Sequence, residues 1–133
     1  MIRESLDTNV LLRFLLGDVS DERRRTERLL ARDGVIYHVS DVVFIEISEV
    51  LWRLYKHEYG AIAEYLRVVM DMENVNCNRN MLRVAIDNYE KHPKLSFADC
   101  CIAEYAKLND AEPVWTFDRK FAGQSREARL VGE

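Results

Sequence analysis

Short runs rich in β-branched and aromatic residues alternate along this chain with longer stretches of helical periodicity. That alternation is the feature that most limits the fold, because strands separated by helix-length segments point to an α/β architecture with a parallel sheet. Such a sheet is buried, with helices covering both of its faces. The plainest strand is Val35-Ile36-Tyr37-His38-Val39, a run of high β propensity. Before it, a first strand runs into Asp7 and turns at Thr8-Asn9. Val10-Leu11-Leu12 with Phe14-Leu15-Leu16 then reads as a helix capped by Gly17. A second helix is expected from Ser20 to about Asp33, with Gly34 as its stop. Ser40 and Asp41 open a long helix to about His57, and another runs from Ala61 to about Met72. Asn74 to Cys77 is a candidate third strand. Arg79 to His92 carries Leu82, Ala85, Ile86 and Tyr89 at helical spacing, and Pro93 blocks its continuation. A helix from Ser96 to Leu108, a strand from Pro113 to Phe117 and a last strand around Arg129-Leu130-Val131 complete the pattern. No repeat or linker divides the chain, so residues 1–133 are expected to form a single domain.

Composition narrows the function classes. At 133 residues, 48% hydrophobic and 32% charged, the chain suits a soluble globular domain rather than a disordered one. No apolar run approaches the roughly 20 residues that cross a bilayer, so no membrane partner is expected. Arg3, Glu4 and Asp7 stand where a signal peptide would need an apolar core. The cytoplasm is the expected compartment. Cys77, Cys100 and Cys101 are odd in number and lack C-x-x-C spacing. They read as reduced, mostly buried small hydrophobes. His38, His57 and His92 share no ligand spacing. The arginine run of the Ser20 helix fits a solvated face with local ion pairs. A net charge of −4 weighs against binding nucleic acid by long-range attraction alone.

The informative residues are acidic. Asp7 follows the first strand and Asp118 follows the Val114–Phe117 run. Both sit at strand carboxyl ends, where open α/β sheets bind ligands, and both also suit a helix N-cap. On the helix from Asp41, an apolar stripe drawn through Val43, Ile47, Val50, Leu51 and Leu54 includes Glu46. A buried glutamate there costs free energy unless it is paired or metal-bound. Glu49, on the opposite side, is placed to pair with Arg53. Asp99 precedes Ile102, Ala103 and Ala106 on an apolar side, yet Ser96-Phe97-Ala98-Asp99 is also a capping-box pattern. Carboxylates that converge repel one another unless cations compensate. An all-oxygen set of this kind suits Mg²⁺ or Mn²⁺ rather than Zn²⁺.

Taken in order, Leu6-Asp7-Thr8-Asn9, Val43-Phe44-Ile45-Glu46, Phe97-Ala98-Asp99 and Thr116-Phe117-Asp118 resemble the motifs of the PIN-domain family. The likeness spans Leu6 to about Ala122. Within the family the chain most resembles the VapC group, toxin ribonucleases of type II toxin–antitoxin modules. The resemblance implies a PIN-like three-layer fold, a central mostly parallel sheet flanked by helices on both faces. It also implies hydrolysis of RNA phosphodiester bonds by a water that Mg²⁺ or Mn²⁺ activates. Asp7, Glu46, Asp99 and Asp118 match the family's acidic residues as catalytic groups and metal ligands. Thr8, Asn9 and Thr116 match its supporting polar positions, and Ser96 is placed to hold Asp99. Arg119 and Lys120 are candidate contacts to substrate phosphates. The implied partners are a VapB-like antitoxin, a second copy in a homodimer, and operator DNA through the antitoxin alone. Cys100 and Cys101 replace residues that are more often small or aliphatic, which suggests sensitivity to oxidation.

Three other readings stay open. One is a catalytically silent PIN-like module that binds nucleic acid or protein. Another is a PIN-type RNA-processing nuclease. The third is a phosphoryl-transfer domain with Asp7 as nucleophile, although such sites usually carry a second aspartate where this chain has Asn9. Trp52, Tyr55, Tyr59 and Tyr65 are either core residues or the wall of a groove for an antitoxin helix.

Overall fold

Parallel pairing, which the alternation of strands and helices demands, is present throughout the computed structural model, which describes residues 1–92 and 94–132. The chain divides into two compact units, Met1–Arg79 and Asn80–Glu133. The first unit runs β1 (Ile2–Ser5), α1 (Thr8–Leu16), α2 (Ser20–Leu30), β2 (Val35–His38), α3 (Asp41–Arg53), α4 (Tyr59–Met70) and β3 (Val75–Asn76). Its strands lie in the order β1-β2-β3, with Ile2 opposite Val35, Ser5 opposite His38 and His38 opposite Asn76. The second unit runs α5 (Arg79–Lys91), α6 (Phe97–Leu108), β4 (Val114–Thr116), α7 (Arg119–Gln124) and β5 (Ala128–Leu130). There β4 pairs in parallel with β5. The expected α/β class is therefore observed.

Several elements depart from the sequence reading: α2 ends at Leu30 rather than about Asp33, and α4 starts at Tyr59 rather than Ala61. Helix α1 starts at Thr8, two residues before the apolar run, because Asp7 is extended and takes the N-cap position. Helix α3 ends at Arg53, well before His57, and Lys56 adopts a left-handed conformation with φ 57° that no helix can continue through. The residues after Asp118, for which the sequence suggests only an N-cap, form a six-residue helix. Gly17 behaves as expected: at φ 64° its N–H closes α1 on the Arg13 carbonyl. Pro93, expected to stop α5, lies outside the described residues.

The core of the first unit is aliphatic and aromatic. Leu11, Tyr37, Phe44, Ile47, Leu51, Ile62 and Leu66 are fully buried. The buried face of α3 is Val43, Phe44, Ile47, Ser48 and Leu51, while Leu54 is 73% exposed. Ser48 tolerates burial because its hydroxyl donates to the Ile45 carbonyl at 2.6 Å. In the second unit, Met81, Leu82, Ala85, Ile86 and Tyr89 of α5 are buried. Tyr89 meets Phe97 edge-to-face, with ring centroids 5.6 Å apart. The α2 arginines sit in local pairs as expected, among them Arg25 with Asp21 at 3.2 Å and Arg23 with Glu27 at 3.9 Å. Arg53 reaches Glu49 at 4.0 Å. No helix among the described residues is long and apolar enough to cross a membrane.

Tyr37 joins β2 to the end of α2. Its hydroxyl donates to the Leu29 carbonyl and accepts from Arg32 Nε at 3.1 Å, and Arg32 also pairs with Glu4 of β1. Removing the hydroxyl takes a hydrogen bond from the Leu29 carbonyl and from Arg32 and leaves the ring in place, while that carbonyl keeps the Arg32 N–H at 3.3 Å and Arg32 keeps Glu4. Tyr37→Phe should therefore lower the unfolding free energy by about 1–2 kcal/mol. Urea denaturation tests this directly, and an unchanged midpoint would show that the network contributes nothing.

Candidate functional site

In the first unit the site is assembled by a strand end and two helices. Once β1 has finished at Ser5 and the Leu6 N–H has bonded the His38 carbonyl at 3.1 Å, the chain turns into α1 at Asp7. Asp7 Oδ1 accepts from the Val10 N–H at 3.2 Å. Its other oxygen has no hydrogen bond among the described residues. One residue on, Thr8 Oγ1 donates to Glu46 Oε1 at 2.8 Å, tying the head of α1 to the side of α3. Glu46 is thus held against Thr8, the residue that follows Asp7. Asn9 lines a cavity of about 390 Å³ with Val10, Arg13, Glu22, Arg25, Thr26 and Leu29.

Glu46 is exposed, which corrects the expectation that it lies on the buried stripe of α3. Phe44 and Ser48 belong to that stripe and Leu54 does not. Successive helical residues turn by about 100°, so the stripe's centre lies roughly 130° away from Glu46. Metal binding is not needed to offset a burial cost there. The hydroxyl of Thr8, not burial, singles this glutamate out.

The second unit pairs Asp99 with Asp118. Ser96 caps α6 and accepts from the Asp99 N–H at 3.0 Å, so the capping-box reading holds. Burial pushes the Asp99 carboxyl above its ordinary value. Hydrogen bonds to the Ser96 side chain and backbone pull it down, and the charge of Asp118 adds to the rise. The two carboxylates are therefore close enough to sense each other. Asp118 caps α7 through Oδ1, which accepts from the N–H groups of Lys120 at 2.9 Å and Phe121 at 3.2 Å. Its own N–H donates to Thr116 Oγ1 at 3.0 Å. Arg119 and Lys120 are exposed in the first turn of α7.

Each cap occupies one carboxylate oxygen and leaves the other available. The donors are all oxygen, partly or wholly exposed, and hard, which fits Mg²⁺ or Mn²⁺. Among the described residues no three His, Cys, Asp or Glu side chains are grouped to hold a metal ion. Within the first unit Thr8 links Glu46 to the residue beside Asp7, and within the second Asp99 senses the charge of Asp118.

Two further features bear on the site. At the carboxyl edge of β1-β2-β3, a cavity of about 530 Å³ is lined by Ser5, His38, Ser40, Asp41, Asn76 and Cys77, with neither Asp7 nor Glu46 in its wall. On α6, Glu104 is only 6% exposed. Phe97, Cys100, Cys101 and Glu104 follow i, i+3, i+4, i+7 spacing, the signal that would have found it. The expected sensitivity of Cys100 and Cys101 to oxidation is not supported. Both are buried, and burial with the Asp99 charge pushes the Cys100 thiol up to about 12, which starves it of reactive thiolate. Trp52 and Tyr55 are exposed and Tyr59 and Tyr65 half-buried, so none of these four aromatic residues is fully buried; Tyr55 donates to Asp18 Oδ2 at 2.9 Å.

The PIN-domain family profile matches residues 5–126. No curated protein matches the chain.

Because the folded chain disfavours ionised Asp99, the native state holds that proton more tightly than the unfolded state does. Stability of the metal-free protein therefore falls as pH rises through the window just above 3.8, the ordinary carboxylate value. Asp99→Asn should be more stable than the parent at pH 7 without metal, with the difference vanishing near pH 3. Urea titrations at the two pH values check this; a variant no more stable at pH 7 would contradict it.

Proposed function

The chain belongs to the PIN-domain family, and on that premise we propose that it is a metal-dependent endoribonuclease of the VapC kind, the toxin of a type II toxin–antitoxin pair. PIN domains are in general nucleases that use divalent metal ions. The observation that carries the finer reading is the way each acid is held. Thr8 fixes one oxygen of Glu46, Ser96 organises the turn that presents Asp99, and Thr116 anchors the backbone of Asp118.

In this reading Asp7, Glu46, Asp99 and Asp118 together hold Mg²⁺ or Mn²⁺. The bound ion supplies a Lewis acid that polarises the phosphate and lowers the pKa of an attacking water. The protein's own part is positioning. Caps keep Asp7 and Asp118 at fixed rotamers, so little side-chain entropy is lost when the second oxygen is used. Raised Asp99 rewards a cation, because ionising it is costly alone and favourable beside positive charge. Arg119 and Lys120 bind the phosphates that flank the cut. The same reading includes a homodimer and a VapB-like antitoxin whose helix covers the exposed Trp52 end of α3, with operator DNA bound through the antitoxin.

Cleavage of a panel of tRNA, rRNA fragments and mRNA, with Mg²⁺, Mn²⁺ or EDTA, tests the proposal on protein freed of any co-purified antitoxin. Cleavage should require metal and disappear in Asp99→Asn. Thr8→Val should raise the metal concentration for half-maximal rate by about 10–100-fold, the usual effect of losing a group that orients a ligand. Metal-dependent cleavage by Asp99→Asn would refute the site. No cleavage of any RNA would leave a silent binding module.

A further inference from the structure

The β4–β5 ladder carries an aromatic–cation stack that the hydrolytic site does not use. Trp115 and Arg129 are partners in the parallel register, and the Arg129 guanidinium carbon lies 5.7 Å from the centre of the indole ring. Their strand neighbours Val114, Thr116, Ala128 and Leu130 are all less exposed, whereas Trp115 is 57% exposed and Arg129 is open to solvent. Alternation along a strand puts the two on one face. Two residues beyond Trp115, Phe117 is 81% exposed and joins directly to Asp118. Two large rings left in water, one of them already stacked with a cation, are not explained by packing within the chain.

The surrounding charge says what kind of partner fits. From Val114 to Val131 the basic residues Arg119, Lys120, Arg126 and Arg129 outnumber the acids Asp118 and Glu127, although the whole chain carries −4. A guanidinium stacked on an indole keeps its in-plane N–H donors for an anion, and it braces the ring so that the other face can take a second flat group. Flat rings joined by anionic links are the chemistry of an unpaired nucleic-acid strand, where bases stack on aromatic side chains and phosphates meet arginine.

We propose that Trp115 and Arg129, extended by Phe117, form a stacking platform that binds unpaired bases of single-stranded RNA. The choice of RNA rests on the ribonuclease reading above. A strand stacked on Phe117 passes beside Asp118, so the platform would also select what is cut. Bases in a duplex are stacked on one another and unavailable, which makes the platform a discriminator of single strands from helices.

The test is the affinity of the full chain for a fluorescein-labelled ten-nucleotide RNA of mixed sequence, single-stranded or annealed, read by anisotropy in EDTA so that nothing is cut. Trp115→Ala should weaken single-strand binding about tenfold or more and leave duplex binding unchanged. Trp115→Phe, which keeps a ring, should retain most of the affinity, and circular dichroism of both variants establishes that they fold. Arg129→Ala should reduce the dependence of log affinity on log salt by about one phosphate contact. Full single-strand affinity in Trp115→Ala, or equal loss for single strand and duplex, would overturn the proposal. So would conversion of a dimer to a monomer with RNA affinity intact, which would assign this face to a second copy of the chain. Cleavage by the unmodified protein is scored separately. Binding through Trp115 without any cleavage refutes the nuclease and keeps the platform; cleavage with Trp115→Ala binding normally does the reverse.

Discussion

Ile2–Ser5 lies parallel to Val35–His38, and that pairing governs what the rest of the first unit can be. Parallel neighbours cannot be joined by a tight turn, so each strand must be followed by a helical crossover that returns the chain to the starting edge. The register from Ile2 opposite Val35 to Ser5 opposite His38 then places the ends of β1 and β2 at one edge. Whatever begins α1 and α3 therefore begins near that edge. Asp7 is at the head of α1 because the strand has just ended there, and Ser40 and Asp41 open α3 for the same reason. Tyr37, buried between strand and helix and bonded to Leu29 and Arg32, holds the crossover against the sheet.

Capping and chemistry compete for the same residue types, and here they do not exclude each other. A carboxylate has two oxygens; Asp7 and Asp118 each spend one on backbone N–H groups of the helix they start. Such a cap contributes about 1 kcal/mol to stability, so these aspartates are retained for folding whether or not they meet a metal. The same bonds hold the second oxygen in a narrow range of directions. Glu46 has no cap to make and is oriented by Thr8 instead. Stability and preorganisation thus come from one set of contacts. An aspartate that reads as an ordinary cap is consequently no weaker a ligand for being one.

Much of this was legible from residue types. Val35 to Val39, the Gly17 stop, the Ser96 cap and the strand before Asp118 all follow from local propensity, which acts over a few residues and is visible in a few residues. What was not legible depends on how faces turn and which strands meet. The α3 stripe was drawn through Leu54 rather than Ser48, since a serine reads as polar until its hydroxyl is seen bonded to the Ile45 carbonyl. With Phe44 and Ser48 on the buried face and Val50 and Leu54 off it, Glu46 lies on the exposed side. Glu104 stands mid-helix rather than at an element end, and only its spacing from Phe97 marks its buried face. Trp115 and Arg129 are fourteen positions apart in the chain, and only the register of β4 with β5 makes them partners.

The charge of −4 is the figure most easily misread in a protein that is to meet a polyanion. Exposed charges are screened beyond about 8 Å at physiological ionic strength, so a net figure over the whole chain says little about any one contact. What a strand of RNA would feel is the local excess of arginine and lysine between Val114 and Val131, and beside it rings that attract bases without regard to charge. Stacking does not release counterions; only the phosphate contacts do. A chain that binds in this way needs few cations and pays little repulsion for the acids it keeps nearby.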